Sequence, residues 1–266
     1  MIVSILGCGW YGRALATALL EEGVAVKGST SSPDKLAELS ALGIQPYVVN
    51  LPDTAQPGFF DTDILVVSIP PKFRKGESDA FISKIQSIIT AIQHYGIKHV
   101  IYTSSTGVYG ENQGAVNELT DPVPDDLSGK LLLEAETLFQ SQTNFLTTII
   151  RFGGLVGPGR HPGRFFAGKK GIPNGLGPVN LVHLDDIVAI TQSIIAQTAW
   201  GQVFNACAPD HSTRADFYTR ATQLAGLELP EFKQELLNDK TVDSIKLGPL
   251  LNYQFKHNKW IDYVFD

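Results

Sequence analysis

The apolar run Ile2-Val3-Ser4-Ile5-Leu6 leads straight into Gly7-Cys8-Gly9-Trp10-Tyr11-Gly12, and a helix-like segment follows from Arg13 to Glu22. Strand, glycine turn and helix in that order constrain the fold more than any other feature of the chain. The pattern is G-x-G-x-x-G, and each glycine has its own task. Gly7 permits the tight turn, Gly9 leaves the backbone bare where a pyrophosphate would approach, and Gly12 lets the helix lie close against the strand. The first N–H groups of that helix have no acceptor within it, and the positive end of its dipole adds to them. An anion is favoured there.

Short apolar runs alternate with helix-period segments over the first 150 residues. Strands are expected at Ile2–Leu6, Ala25–Thr30, Pro46–Val49, Ile64–Ser68, His99–Thr103 and Leu146–Arg151. Helices are expected at Tyr11–Glu22, Pro33–Leu42, Asp79–Tyr95 and Ser128–Gln142. Each helix carries an apolar stripe; in Asp79–Tyr95 it is Phe81, Ile82, Ile85, Ile88, Ile89 and Ile92. Ser32-Pro33 reads as a cap followed by proline at the first helical position. Such alternation predicts an α/β fold of the Rossmann type, a doubly wound parallel sheet with strand order 3-2-1-4-5-6. After Arg151 the texture changes. Residues 153–180 hold nine glycines and four prolines with little periodicity, which reads as a functional or mobile loop. Later elements are a strand Leu181–His183, a helix Asp185–Gln197, a strand Val203–Ala206 and a helix Arg214–Ala225, with a less regular tail from Glu228. Residues 1–152 are therefore expected to form the dinucleotide-binding domain, and 153–266 a small substrate lobe packed on it.

The formal net charge of -6 argues against non-specific nucleic-acid binding. No segment approaches the roughly 18 uninterrupted apolar residues of a membrane helix. The opening residues read as the first strand, without the basic region or cleavage site of a signal peptide. Two distant cysteines, Cys8 and Cys207, make no disulfide framework, so a cytoplasmic location is expected. Cys8 reads as a small side chain that fits the turn; the alternative is a redox-sensing thiol activated by the helix start.

In an NAD site an acidic residue near the end of the second strand takes the ribose hydroxyls. Here that strand runs into Gly28-Ser29-Thr30-Ser31-Ser32 without a carboxylate, and Asp34 lies beyond the proline. Hydroxyls at Thr30, Ser31 and Ser32 suit a 2′-phosphate, with Lys35 as counter-charge. NADP is thus expected ahead of NAD, although the same run also reads as a plain turn and cap. Asn50 and Leu51, after the third strand, border the adenine. Ser68, Ile69 and Pro70, after the fourth, run along the cofactor, because ligands of open α/β sheets lie outside the carboxyl ends of the strands. The cluster Lys72, Arg74 and Lys75 reads as a solvated loop, with an anion clamp as the alternative.

Four further segments fall in a telling order. They are Ile101-Tyr102-Thr103-Ser104-Ser105-Thr106-Gly107-Val108-Tyr109-Gly110, Lys130 with Glu134, Ile150-Arg151-Phe152-Gly153-Gly154-Leu155-Val156-Gly157-Pro158-Gly159, and Val182-His183-Leu184-Asp185-Asp186. With the glycine turn, they resemble the extended short-chain dehydrogenase/reductases, the NAD-dependent epimerase/dehydratase family, over roughly residues 1–210. The resemblance implies hydride transfer at a nicotinamide. It places Ser105 at the serine or threonine that hydrogen-bonds the substrate oxygen, with Thr106 beside it. It places Lys130 at the lysine that tunes the catalytic tyrosine and holds the nicotinamide ribose. That tyrosine would be residue 126, where this chain has Asp126. Three substitutes are open: a hydroxyl from Tyr109 or Tyr102, Asp126 as a buried base, or cofactor binding without turnover. Each candidate also has a plainer reading. Tyr109 would line the pocket, Lys130 would pair with Glu134 on a surface helix, and Ser105 would bond its own turn. The resemblance further implies a homodimer through helices 79–95 and 128–142.

At the substrate end, Arg160, His161 and Arg164 lie in the glycine-rich stretch and suit an anionic small molecule such as a nucleotide-sugar diphosphate. Asn180 and His183 are expected at the cleft rim, with Asp185 capping the next helix. No His, Cys, Asp or Glu set has metal-ligand spacing. No G-x-S-x-G elbow is present, so serine-hydrolase chemistry loses support. The function expected is an NAD(P)-dependent oxidoreductase or epimerase/dehydratase-like activity on a small hydroxylated or nucleotide-linked substrate. The rival is a non-catalytic NADP(H)-binding sensor.

Overall fold

Strand β1 (Ile2–Leu6) is apolar along almost its whole length, and only a strand covered on both faces is built that way. A computed structural model describes all residues except 55, 72–77, 262 and 265–266. The cluster Lys72, Arg74 and Lys75 lies outside the described residues. After β1 come α1 (Trp10–Glu21), β2 (Ala25–Thr30), α2 (Leu36–Ala41), β3 (Gln45–Val48), α3 (Pro57–Phe60), β4 (Ile64–Val67), α4 (Ser78–Tyr95) and β5 (His99–Ser105). Then follow β6 (Ala115–Val116), α5 (Leu127–Gln140), β7 (Leu146–Phe152), β8 (Gly154–Val156), β9 (Leu181–His183) and α6 (Leu184–Ala196). The series ends with β10 (Val203–Ala206), α7 (Arg214–Leu224), β11 (Thr241–Val242) and α8 (Leu247–Leu251).

The chain forms two compact units, and neither is a continuous stretch. The first comprises Met1–Ser105, Leu127–Ile150 and Thr191–Val203; the second comprises Thr106–Asp126, Arg151–Ile190 and Phe204–Asp266. The central sheet runs β3-β2-β1-β4-β5-β7-β10. β1 pairs in parallel with β2 and with β4, and the pairs β2–β3 and β4–β5 are parallel too. The expected order 3-2-1-4-5-6 is present, with β7 as the sixth strand, and β10 extends it by one. This is a Rossmann-type sheet. Helix α1 buries Leu15 and Leu19 completely, each worth about 1.5–3 kcal/mol relative to exposure. Helix α4 buries Ile85, Ile88 and Ile92. No helix of the described residues is long and apolar enough to cross a membrane.

The expected helix Pro33–Leu42 is broken in two. A single 3-10 turn spans Pro33–Lys35, and the α-helix starts at Leu36. Ser32 stands at the cap position but makes no side-chain cap bond; its own N–H donates to Thr30 Oγ1 at 3.1 Å.

In the second unit β6 pairs in parallel with β11, and β8 with β9. Its apolar core joins Val156, Val179, Leu181, Ala208, Phe217, Tyr218, Ala221 and Trp260. The glycine-rich stretch 153–180, expected as a loop, holds β8 and a 3-10 turn at Pro162–Arg164. It also bonds backbone to backbone with the irregular tail. Gly168 N–H donates to the Glu228 carbonyl, Ile172 N–H to Glu231, Lys233 N–H to Ile172, and Gly175 N–H to Lys233. Two stretches without periodicity thus satisfy each other's amides.

Candidate functional site

The glycine turn is held from the sheet side. Gly7 N–H donates to Ser29 Oγ at 2.9 Å, Cys8 N–H to the Ser29 carbonyl at 2.9 Å, and Gly9 N–H to the Gly7 carbonyl at 2.8 Å. Gly7 has φ +92°, and a Cβ there would sit 2.3 Å from the Ser68 carbonyl oxygen. Only glycine fits. A Cβ at Gly12 would sit 2.9 Å from the Gly7 carbonyl oxygen and 3.1 Å from Ile5, so α1 touches β1 as closely as backbone allows. At Gly9 the reverse holds: an added Cβ meets nothing within 4 Å. That bare backbone faces a cavity of about 410 Å³.

The cavity is walled by Leu6, Gly7, Cys8, Gly9, Ser29, Thr30, Ser31, Lys35, Val49, Asn50, Leu51, Ser68, Ile69, Pro70, Phe81 and Lys84. The ends of β1 and β2 and the turns after β3 and β4 therefore meet at one place, outside the carboxyl ends of the strands. Its size is within the range of small-molecule sites. Its polar groups are hydroxyls, an amide side chain and two ammonium groups. Among the described residues, no carboxylate lines it. These features fit a dinucleotide: open backbone at Gly9 for the pyrophosphate, apolar Val49 and Leu51 for a base, and hydroxyls and lysines for phosphate.

Of the residues expected at the cofactor, Trp10, Tyr11, Gly12, Ser32 and Lys130 do not line this cavity. Trp10 opens α1, Gly12 serves the helix–strand contact, and the Tyr11 hydroxyl is buried against Thr191 Oγ1 at 2.8 Å. Cys8 does line it, yet burial pushes its thiol up to about 12 against the weaker pull of Arg13. The redox-sensing alternative is not supported, because a buried thiol stays protonated.

Ser105 ends β5 and is half-buried; Thr106 follows it, buried, in the second unit. Lys130 is exposed at the end of the first turn of α5, and Asp126 is exposed just before that helix. Tyr102 is entirely buried against Phe139, with ring centroids 4.9 Å apart, and cannot present its hydroxyl to a ligand. Tyr109 is 1% exposed. Its single phenol proton lies between the Asn117 carbonyl at 2.9 Å and Asn205 Oδ1 at 3.1 Å, and its oxygen accepts from Arg151 Nη1 at 2.7 Å. Burial pushes this phenol up despite the nearby guanidinium. The Tyr109 hydroxyl is thus the centre of a buried structural network.

Within the second unit, Arg160 and Arg164 are exposed, in and beside the 3-10 turn at Pro162–Arg164. Asn180 uses both ends of its amide on the chain. Its Nδ2 donates to the Lys240 carbonyl at 2.8 Å, and its Oδ1 accepts from Val242 N–H at 2.8 Å. His183 is only 2% exposed, not on a rim. Its Nδ1 accepts the Asp185 N–H at 3.1 Å, so the histidine closes the start of α6 and Asp185 is not its cap. A second cavity of about 240 Å³ is walled by Glu111, Asn174, Asn180, Arg214, Asn238 and Lys240, with Pro173, Pro178 and Leu237. The Lys240 ammonium is buried there between the Tyr109 carbonyl at 3.0 Å and Glu111 Oε1 at 2.6 Å.

A family model described as NAD(P)H-binding matches residues 7–179, and the match begins at the first glycine of the turn. The chain belongs to the NAD(P)H-binding family. It is also 36% identical to Protein YeeZ of Escherichia coli (strain K12) over 264 residues, 96% of each chain. Among solved structures it resembles a functionally unknown conserved protein from Silicibacter pomeroyi, at 25% identity and TM-score 0.81, covering 98% of this chain and 95% of that one. It also shares the fold of a UDP-glucuronic acid 4-epimerase from Bacillus cereus solved with NAD, at TM-score 0.80 and 19% identity, covering 96% and 94%.

For this NAD(P)H-binding protein, the cavity adds wall residues that sequence reasoning passed over. Phe81 and Lys84 reach it from α4, and Ser29 from β2. Phe81 belonged to the apolar stripe, and Lys84 interrupts the following turn three residues on; a cation beside such a stripe was the available signal. Lys240 and Glu111 carried none, since 129 residues separate them. The same is true of His257, which the fold brings to His183 and Asp185.

Proposed function

We propose that this protein is an NADP(H)-dependent oxidoreductase or epimerase/dehydratase-like enzyme acting on a small hydroxylated or nucleotide-linked substrate. One observation carries the coenzyme choice. The cavity at the glycine turn is walled by Ser29, Thr30 and Ser31 and by Lys35 and Lys84, with no carboxylate among the described residues. A free ribose calls for a carboxylate acceptor, whereas a 2′-phosphate calls for donors and positive charge.

When bound, the dinucleotide supplies hydride transfer. The chain's own residues would do the rest. The start of α1 and Gly9 hold the pyrophosphate, and Asn50, Leu51 and Val49 border the adenine. Ser68, Ile69 and Pro70 lie along the middle of the ligand. By position, Ser105 hydrogen-bonds the substrate oxygen and Lys130 holds the nicotinamide ribose. Arg160 and Arg164 meet negative charge on the substrate. A homodimer through α4 and α5 belongs to the same proposal.

A second reading rests on a specific observation. Asp126 stands where the resembling reductases have their acid, Tyr109 is locked by three partners, and Tyr102 is in the core. Neither of these two phenols is available for that role, which favours an NADP(H)-binding protein without turnover. Fluorescence titration with NADPH and NADH, followed by coenzyme oxidation against carbonyl compounds and nucleotide sugars, separates the two. Tighter NADPH binding that falls at least about tenfold in Lys35→Glu, with turnover lost in Ser105→Ala and Lys130→Ala, is expected for the enzyme. Binding without turnover on any substrate selects the second reading, and equal affinity for NADH and NADPH overturns the coenzyme assignment.

A further inference from the structure

Three potential metal ligands from separate parts of the second unit converge where β9 hands over to α6. His183 ends β9, Asp185 stands in the first turn of α6, and His257 arrives from the C-terminal segment 72 residues after Asp185. His257 Nε2 lies 3.2 Å from Asp185 Oδ2, and His183 Nδ1 lies 3.5 Å from the same oxygen. One ligand atom from each residue falls within 4.8 Å of the others. A tetrahedral ion with bonds of about 2.0–2.1 Å sets its ligand atoms about 3.4 Å apart. Both separations involving the carboxylate are already near that value.

The surroundings hold these groups in place. His183 Nε2 is 2.9 Å from the Tyr263 hydroxyl, while Nδ1 accepts the Asp185 N–H. This network assigns the ring proton to Nε2 and a lone pair to Nδ1. His257 is positioned through Asp186, a fully buried carboxylate. Asp186 accepts from the Tyr253 hydroxyl at 2.6 Å, from Lys256 N–H at 2.7 Å and from His257 N–H at 3.2 Å. The two imidazoles lie 3.9 Å apart, centroid to centroid. Asp185 is 53% exposed, which leaves the fourth coordination position open to water.

We propose that His183, Asp185 and His257 form a site for a divalent transition-metal ion of the zinc class, clipping the C-terminal segment to the β9–α6 junction. Two imidazoles and one carboxylate suit zinc rather than calcium or magnesium, which prefer all-oxygen sites. Coordination replaces the bond from the Asp185 amide to Nδ1. That amide then becomes one of the ordinary unbonded donors of a helix start. None of the three residues is among those that wall the dinucleotide cavity.

The test uses the full chain stripped with a chelator and titrated with Zn²⁺, by calorimetry and by competition with a chromophoric chelator. Co²⁺ absorption reports the coordination geometry. The expected result is one ion per chain and a rise in thermal midpoint on adding Zn²⁺. His257→Gln and Asp185→Asn should each weaken binding by at least about tenfold and abolish the rise, while His94→Gln changes neither. The two variants alter different elements, so one suffices if the other fails to fold. The proposal is overturned if no saturable binding occurs at micromolar Zn²⁺, or if either folded variant binds like the unaltered protein.

Discussion

Gly7 and Gly9 stand two residues apart and answer to different constraints. Gly7 is fixed by the backbone, since its positive φ and the Ser68 carbonyl leave no room for a methyl group. Gly7→Ala should lower the unfolding free energy by about 2–4 kcal/mol, read from urea denaturation. Gly9→Ala meets open space. It should leave the denaturation midpoint unchanged while weakening NADPH binding at least about tenfold, because the added carbon occupies ligand volume. Equal stability losses in the two variants would contradict this division. Cys8 offers a third check: with its thiol held up near 12, native protein should be alkylated at pH 8 far more slowly than a free cysteine. Both glycine roles were legible in the sequence, because a backbone requirement leaves its mark on residue type. The fate of Tyr109 was not. Its partners Asn117, Arg151 and Asn205 lie 8, 42 and 96 residues away, and nothing in its local motif announces them.

Elements built on one continuous apolar signal were readable to within a residue or two. β4 is buried at every position, and α4 follows its isoleucine stripe. The stretch 153–180 was unreadable, because backbone bonds to residues 228–235 order it and no side-chain period encodes such bonds. Helix starts show the same contrast. Thr213 caps α7: its Oγ1 accepts the Asp216 N–H at 3.1 Å and its hydroxyl donates to Asp216 Oδ2 at 2.7 Å. Thr213→Ala should cost about 1 kcal/mol. Ser32, a hydroxyl residue just before Pro33, makes no cap bond. Ser32→Ala should stay within about 0.5 kcal/mol of the unaltered protein, as for an ordinary surface change. Urea midpoints at matched slope measure both.

Across the molecule, distant segments are tied by single buried or half-buried polar groups. Asp210 accepts from Trp260 N–H at 2.6 Å, Ser212 N–H at 2.8 Å and Ser212 Oγ at 2.5 Å. Partial burial alone would push this carboxyl up. The Ser212 hydroxyl, the two amides and the field of His211 outweigh it and hold the carboxyl below its usual range. A folded-state pKa below the unfolded one means stability that is complete above the unfolded value and lost as pH falls through the folded one. Asp210→Asn should therefore cost about 1–3 kcal/mol at pH 7, and the difference should shrink once the pH drops below about 4. An undiminished difference at pH 3 would contradict the sign. The same long-range wiring bears on how the chain is made. β6 lies at residues 115–116, and its partner strand among the described residues, β11, is at 241–242. On a ribosome, the first of these leaves the exit tunnel long before its mate has been translated. The timing of translation, more than local propensity, then governs when this half of the protein can close. Until then, that segment is the stretch a chaperone would be expected to shield.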